Sequence, residues 1–217
     1  MPVLLAITVH ETAHGLAARH FGDRTAEMLG RLTLNPLKHI DPIGTILVPG
    51  LMLLLPGGFV FGWAKPVPVD WRNFKHPKQD MAWVAAAGPA SNLLMALGWA
   101  LLARIALGLP ADNWLALPLL FMDVAGIFIN TILMVLNLLP LPLLDGGRVL
   151  TGVLPGPYAY QFARIEPYGF WILIILLMTG VLGFVLWPFV SAFLHMMAAV
   201  AGMKPGYLET VLFALMN

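Results

Sequence analysis

The chain has 217 residues, 59% of them hydrophobic and only 11% charged, against roughly 25% charged in a typical soluble domain. These proportions exclude a soluble globular domain and a disordered chain, and make a polytopic membrane protein the expected class. Twelve Lys and Arg against eleven Asp and Glu give a net charge of +1 and no basic surface for nucleic acid, while the lack of cysteine excludes disulfides, thiolate metal sites and cysteine nucleophiles.

A helix needs roughly 20 apolar residues to cross the hydrocarbon layer. The first such run, Met1 to about Ala18, is not followed by the pattern of a removable signal peptide and is expected to stay in the mature protein. Residues 43–61 come next, broken by Gly44, Pro49, Gly50, Pro56, Gly57 and Gly58, so they read as either a span or a re-entrant element. Clear spans follow at about 81–109, 114–144 and 170–187; residues 188–202 are a further short span or a continuation bent at Pro188. Partial alternation over Glu27 to Leu34 and Phe59 to Trp63 suggests short strands. The expected fold is a mainly α membrane bundle with a short re-entrant or β-hairpin element between the first and second clear spans. It forms one domain over 1–217, with a catalytic core at about 1–155 and C-terminal helices at about 156–217.

Lys and Arg collect on the cytoplasmic side of membrane proteins. If residues 43–61 enter and return, then Arg19, Arg24, Arg31, Lys38, Lys65, Arg72, Lys75, Lys78, Arg148 and Arg164 share that side, and only Arg104 and Lys204 lie elsewhere. That distribution favours re-entry over crossing.

The chemistry concentrates in His10-Glu11-Thr12-Ala13-His14. On a helix the two histidines share a face and can bind one Zn²⁺, and the Glu beside them can reach the attacking water. Three ionisable side chains in five residues of a membrane helix are too costly for a purely packing role. A third ligand is required, for which Asp123, Asp145, His195 and His20 are available. Asp145 is favoured because Pro140 and Pro142 end the third span near Leu138 and leave the aspartate on a turn. His10 and His14 lie about 13 and 20 Å along a helix that starts at Met1. If that helix and the third span both run toward the cytoplasm, Asp145 shares their depth. Asp123, Asn130 and His195 otherwise read as hydrogen-bonding or cavity-lining groups, and His39 and His76 as solvated loop residues. Trp63, Trp71, Trp114 and Trp187 fall where interfacial rings are expected.

Three ordered motifs, His10 to His14, Gly88-Pro89-Ala90-Ser91-Asn92, and Asn137 to Gly147 with its NxxPxxxxDG pattern, resemble the site-2 protease family of intramembrane zinc metalloproteases. Phe61 to Val69 is also similar to a segment of the compact bacterial branch, which lacks PDZ and CBS modules. The resemblance covers about residues 1–155. It implies one Zn²⁺ held by His10, His14 and Asp145, Glu11 as general base, and Asn92 and Asn137 close to the active site or bound substrate. It also implies transmembrane protein substrates, and a bacterial or archaeal cell membrane with the active site toward the cytoplasm. A divalent-metal transporter and an inactive homologue that only binds membrane helices are the alternatives. The sequence does not specify an oligomeric state.

Overall fold

The computed structural model describes residues 1–54, 62–110 and 112–216. Their secondary structure is helical, with no strand among the described residues. In chain order the α-helices are α1 (Pro2–His20), α2 (Thr25–Met28), α3 (Val48–Leu54), α4 (Pro77–Leu107), α5 (Ala116–Leu138), α6 (Asp145–Val153), α7 (Gly156–Ala163), α8 (Gly169–Met178), α9 (Val181–Ala201) and α10 (Tyr207–Met216).

Four stretches are long and apolar enough to cross a membrane: Pro77–Leu107, Ala116–Leu138, Gly156–Met178 and Val181–Ala201. The helix α1 is outside this set, because His10, Glu11 and His14 interrupt its apolar sequence. The central element is α4, which packs against α1, α5, α6 and α9. Its buried Ala96, Ala100 and Ala103 recur at helical spacing and meet Val124 and Ile127 of α5 and Leu194 and Met197 of α9. Small residues on such a face allow close backbone approach, which drives helix packing in lipid. The same economy operates at Gly126 of α5, where a Cβ would lie 2.5 Å from the Trp99 ring of α4. Outward-facing Trp171, Ile175, Met178, Phe184 and Phe189 leave α8 and α9 with an apolar exterior.

The run at Glu27–Leu34 is not a strand: α2 closes through an Arg31 N–H to Ala26 carbonyl bond of 2.8 Å, and Gly30 at φ +62 breaks the extended path. The expected Phe59 to Trp63 strand lies mostly outside the described residues, and Gly62 and Trp63 are in no strand. The chain breaks at Gly180, and residues 188–201 continue α9, one of the two alternatives left open by the sequence. Gly180 sits at φ +75, in the left-handed region that suits glycine, whereas α9 continues through Pro188.

Residues 43–61 begin with the π-helical Pro42–Leu47, continued by α3. Asp41 caps this element by accepting from the N–H groups of Ile43 and Gly44 at 3.0 and 2.7 Å. Pro42 to Leu54 is about 20 Å long, short of the roughly 30 Å hydrocarbon thickness. The chain returns beside its departure point: Trp63 N–H donates to the Gly44 carbonyl at 3.0 Å and Lys65 N–H to the His39 carbonyl at 2.9 Å. Buried Asp23 then ties the preceding loop to the following one, accepting from Asp70 N–H and Asn73 Nδ2, each at 2.8 Å. The two basic loops on either side of the excursion therefore form one layer.

Candidate metal centre

The helix α1 places His10 and His14 one turn apart on the face toward α4. Asp145 comes from the other side of the site. As the prolines dictate, α5 stops at Leu138; Leu139 turns extended at φ −59 and ψ 139, and Asp145 opens α6. The next two residues must be glycine for the turn to close. A Cβ on Gly146 would lie 2.3 Å from the Leu138 carbonyl oxygen, and one on Gly147 2.1 Å from that of Leu141.

Asp145 Oδ2 lies 3.2 Å from His10 Nε2 and 3.3 Å from His14 Nε2, and the two Nε2 atoms are 3.1 Å apart. Both histidines use the other ring nitrogen elsewhere. His14 Nδ1–H donates to the Val84 carbonyl at 2.7 Å, and His10 Nδ1–H to Asn92 Oδ1 at 2.5 Å. In neutral imidazoles with those tautomers, both Nε2 atoms carry lone pairs. They converge with a carboxylate oxygen that is buried and has no hydrogen-bond partner. Three acceptors converging in one place suit a cation between them. The observed separations also match the edges, about 3.3 Å, of a tetrahedron with metal–ligand bonds of about 2.0–2.1 Å. His10, His14 and Asp145 are the one group of this kind among the described residues.

Glu11 is adjacent and half-buried, its Oε2 accepting the Val67 N–H at 2.8 Å. Val67 lies between Pro66 and Pro68 on an extended strip, so its N–H is the donor available there. The strip is held by Arg31 Nη2, which donates to the Lys65 carbonyl at 3.0 Å, and by the Asp23 bonds at its far end.

The remaining candidates are dispersed. Asn92 is fully buried beside His10, and its Nδ2 donates to Asn130 Oδ1 at 2.9 Å. Asn137 donates to the Leu133 carbonyl of its own helix at 2.9 Å. Asp123 is buried in α5 with Oδ1 unpartnered. His195 is exposed and 3.6 Å from Glu209. His20 is exposed at the end of α1. His39, expected to be solvated, is instead buried and bonds the Thr33 carbonyl through Nε2 at 2.9 Å. The role of Val84 carried no local sequence signal, because it acts through its backbone carbonyl.

No family model matches the chain, and no solved structure matches it. Curated proteins do. The chain is 41% identical over 202 residues to "Putative zinc metalloprotease YwhC" of Bacillus subtilis (strain 168), covering 88% of this chain and 84% of that protein. It is 33% identical over 181 residues to "Putative zinc metalloprotease Rip2" of Mycolicibacterium smegmatis, covering 82% and 66%. The Rip2 of Mycobacterium tuberculosis strain H37Rv, of the same name, is 30% identical over 206 residues, covering 90% and 74%. Extensive likeness to YwhC, together with a His-His-Asp cluster beside Glu11 in an apolar helical bundle, places this chain in the zinc metalloprotease family to which YwhC and Rip2 belong.

Proposed function

We propose that the protein is an intramembrane zinc endopeptidase of the site-2 protease type, cleaving transmembrane segments of other membrane proteins. One observation carries the reading: His10, His14 and Asp145 converge within 3.3 Å of one another beside Glu11, inside a bundle whose long helices are apolar enough to lie in lipid. The donor set, two imidazoles and a carboxylate, suits Zn²⁺ with a position left open for catalysis. Bound there, zinc supplies Lewis acidity, which polarises a carbonyl and lowers the pKa of water.

The chain's own residues do the rest. His14 is oriented by the Val84 carbonyl and His10 by Asn92, so both present Nε2 to the site. Glu11 is held at Oε2 by Val67 N–H, leaving Oε1 to take the proton of the attacking water and return it to the departing amine. A helical substrate keeps its carbonyls in internal hydrogen bonds and must unwind before attack. The strip at 62–70, which is in neither helix nor turn, offers backbone beside the site for pairing with an unwound chain. Cytoplasmic placement is supported by the single layer of basic loops, to which α6 is joined where Lys78 Nζ donates to the Leu154 carbonyl.

Glu11→Gln tests the reading. The imidazoles remain, so zinc stays bound, while an amide cannot accept the proton. Cleavage of a membrane-embedded substrate should fall at least about a hundredfold. A Gln variant that cuts at near wild-type rate overturns the mechanism; one that loses zinc transport, with cleavage never seen in either protein, favours a transporter.

A further inference from the structure

We infer that Asn130 of α5 is a positioning residue that fixes the ring tautomer of His10 through Asn92, so that His10 carries its hydrogen on Nδ1 and offers a bare Nε2. For its functional meaning the inference rests on His10 as a metal ligand; its geometry stands independently.

The two histidines are oriented differently. His14 Nδ1 meets a backbone carbonyl, that of Val84, which can only accept. His10 Nδ1 meets a side-chain amide, which can either donate or accept depending on which way it is turned. Something must therefore set the orientation of Asn92. Asn130 supplies it: its Nδ2 donates to the Gly126 carbonyl at 2.9 Å, and its Oδ1 accepts from Asn92 Nδ2 at 2.9 Å.

The chain has one consistent orientation. Turning the Asn130 amide over would set its oxygen against the Gly126 carbonyl and its NH₂ against the NH₂ of Asn92, leaving two acceptors and two donors face to face. The Gly126 carbonyl therefore requires the NH₂ of Asn130, whose oxygen then requires the NH₂ of Asn92. The Asn92 oxygen in turn requires a hydrogen on His10 Nδ1, which bares Nε2. Asn92 and Asn130 are both fully buried, so water cannot replace a missing partner. The remaining Asn92 contact, to the Ala6 carbonyl, is long at 3.4 Å and weak as an anchor.

The test reads the tautomer in metal-free protein, by ¹⁵N NMR of histidine-labelled protein in detergent above the ordinary imidazole titration range, alongside zinc affinity by chelator competition. Wild type should show His10 as the Nδ1–H form. Asn130→Leu removes both halves of the relay at similar volume and should give a mixture of tautomers with zinc affinity lowered about tenfold. Asn130→Asp retains, ionised or not, the acceptor oxygen that turns the Asn92 amide, and should keep the wild-type tautomer. A Leu variant in which His10 is unchanged overturns the inference, as does an Asp variant perturbed as much as Leu, which would indicate packing alone. If Asn130→Leu does not fold, Asn130→Val is judged by the same outcomes. Zinc that fails to bind wild type would remove the metal reading, while the metal-free spectra would still decide the role of Asn130.

Discussion

Gly88 of α4 faces His14 of α1 so closely that a Cβ there would stand 2.4 Å from His14 Nε2 and 2.6 Å from His10 Cε1. The metal site is thus built against bare backbone. Gly88→Ala would force both imidazoles outward, at about 1–3 kcal/mol for overpacking of this kind. Zinc affinity should fall at least about tenfold while helical content stays unchanged by circular dichroism; an Ala variant with wild-type affinity would show that the rings have room to shift.

Asp145 and Asp123 are both buried carboxylates, yet only Asp145 meets the histidines. Asp145→Ala should sharply lower zinc content in the purified protein, whereas Asp123→Ala and His195→Ala should retain it. Metal analysis of the three variants decides the ligand set, and full zinc in the Asp145 variant removes it.

Asp23 carries the pH dependence of the loop layer. Burial alone would push its carboxyl up, but bonds from Thr25, Asn73 and the Asp70 N–H outweigh burial and hold it below its ordinary value of 3.8. A depressed carboxylate stabilises the fold above its unfolded pKa and loses that contribution as pH falls through the folded one. Asp23→Asn should therefore cost about 2 kcal/mol near neutrality. The difference from wild type should close below about pH 4, as followed by thermal unfolding across pH. A gap that persists in acid would assign the loss to shape and not to charge.

Cysteines placed at Arg31 and Lys75 should both react with an impermeant reagent from the cytoplasmic side of oriented vesicles. Labelling from opposite sides would contradict the bonds that join the two loops.

Much of this was legible because it is local. The spacing of His10 and His14 sets a shared helical face, and Pro140 with Pro142 sets the end of α5 and hence the place of Asp145. What escaped was long-range or lacked a side-chain signature. Gly180 breaks the span read at 170–187, because a left-handed glycine ends a helix, while α9 continues through Pro188, as a membrane helix tolerates proline. Asn130 gave no sign of its link to Asn92, 38 residues away, and the burial of His39 depends on a fold of its own loop that no pattern announces.

The bond from Val67 joins the Glu11 carboxylate, the proposed general base, to a strip that is also held by Arg31 and Asp23, outside the long helices. Glu11 is consequently clamped from the loop layer and not from the helix that bears it. Whatever draws that strip aside also unclamps the carboxylate, so access to the site and the aim of its base are mechanically inseparable.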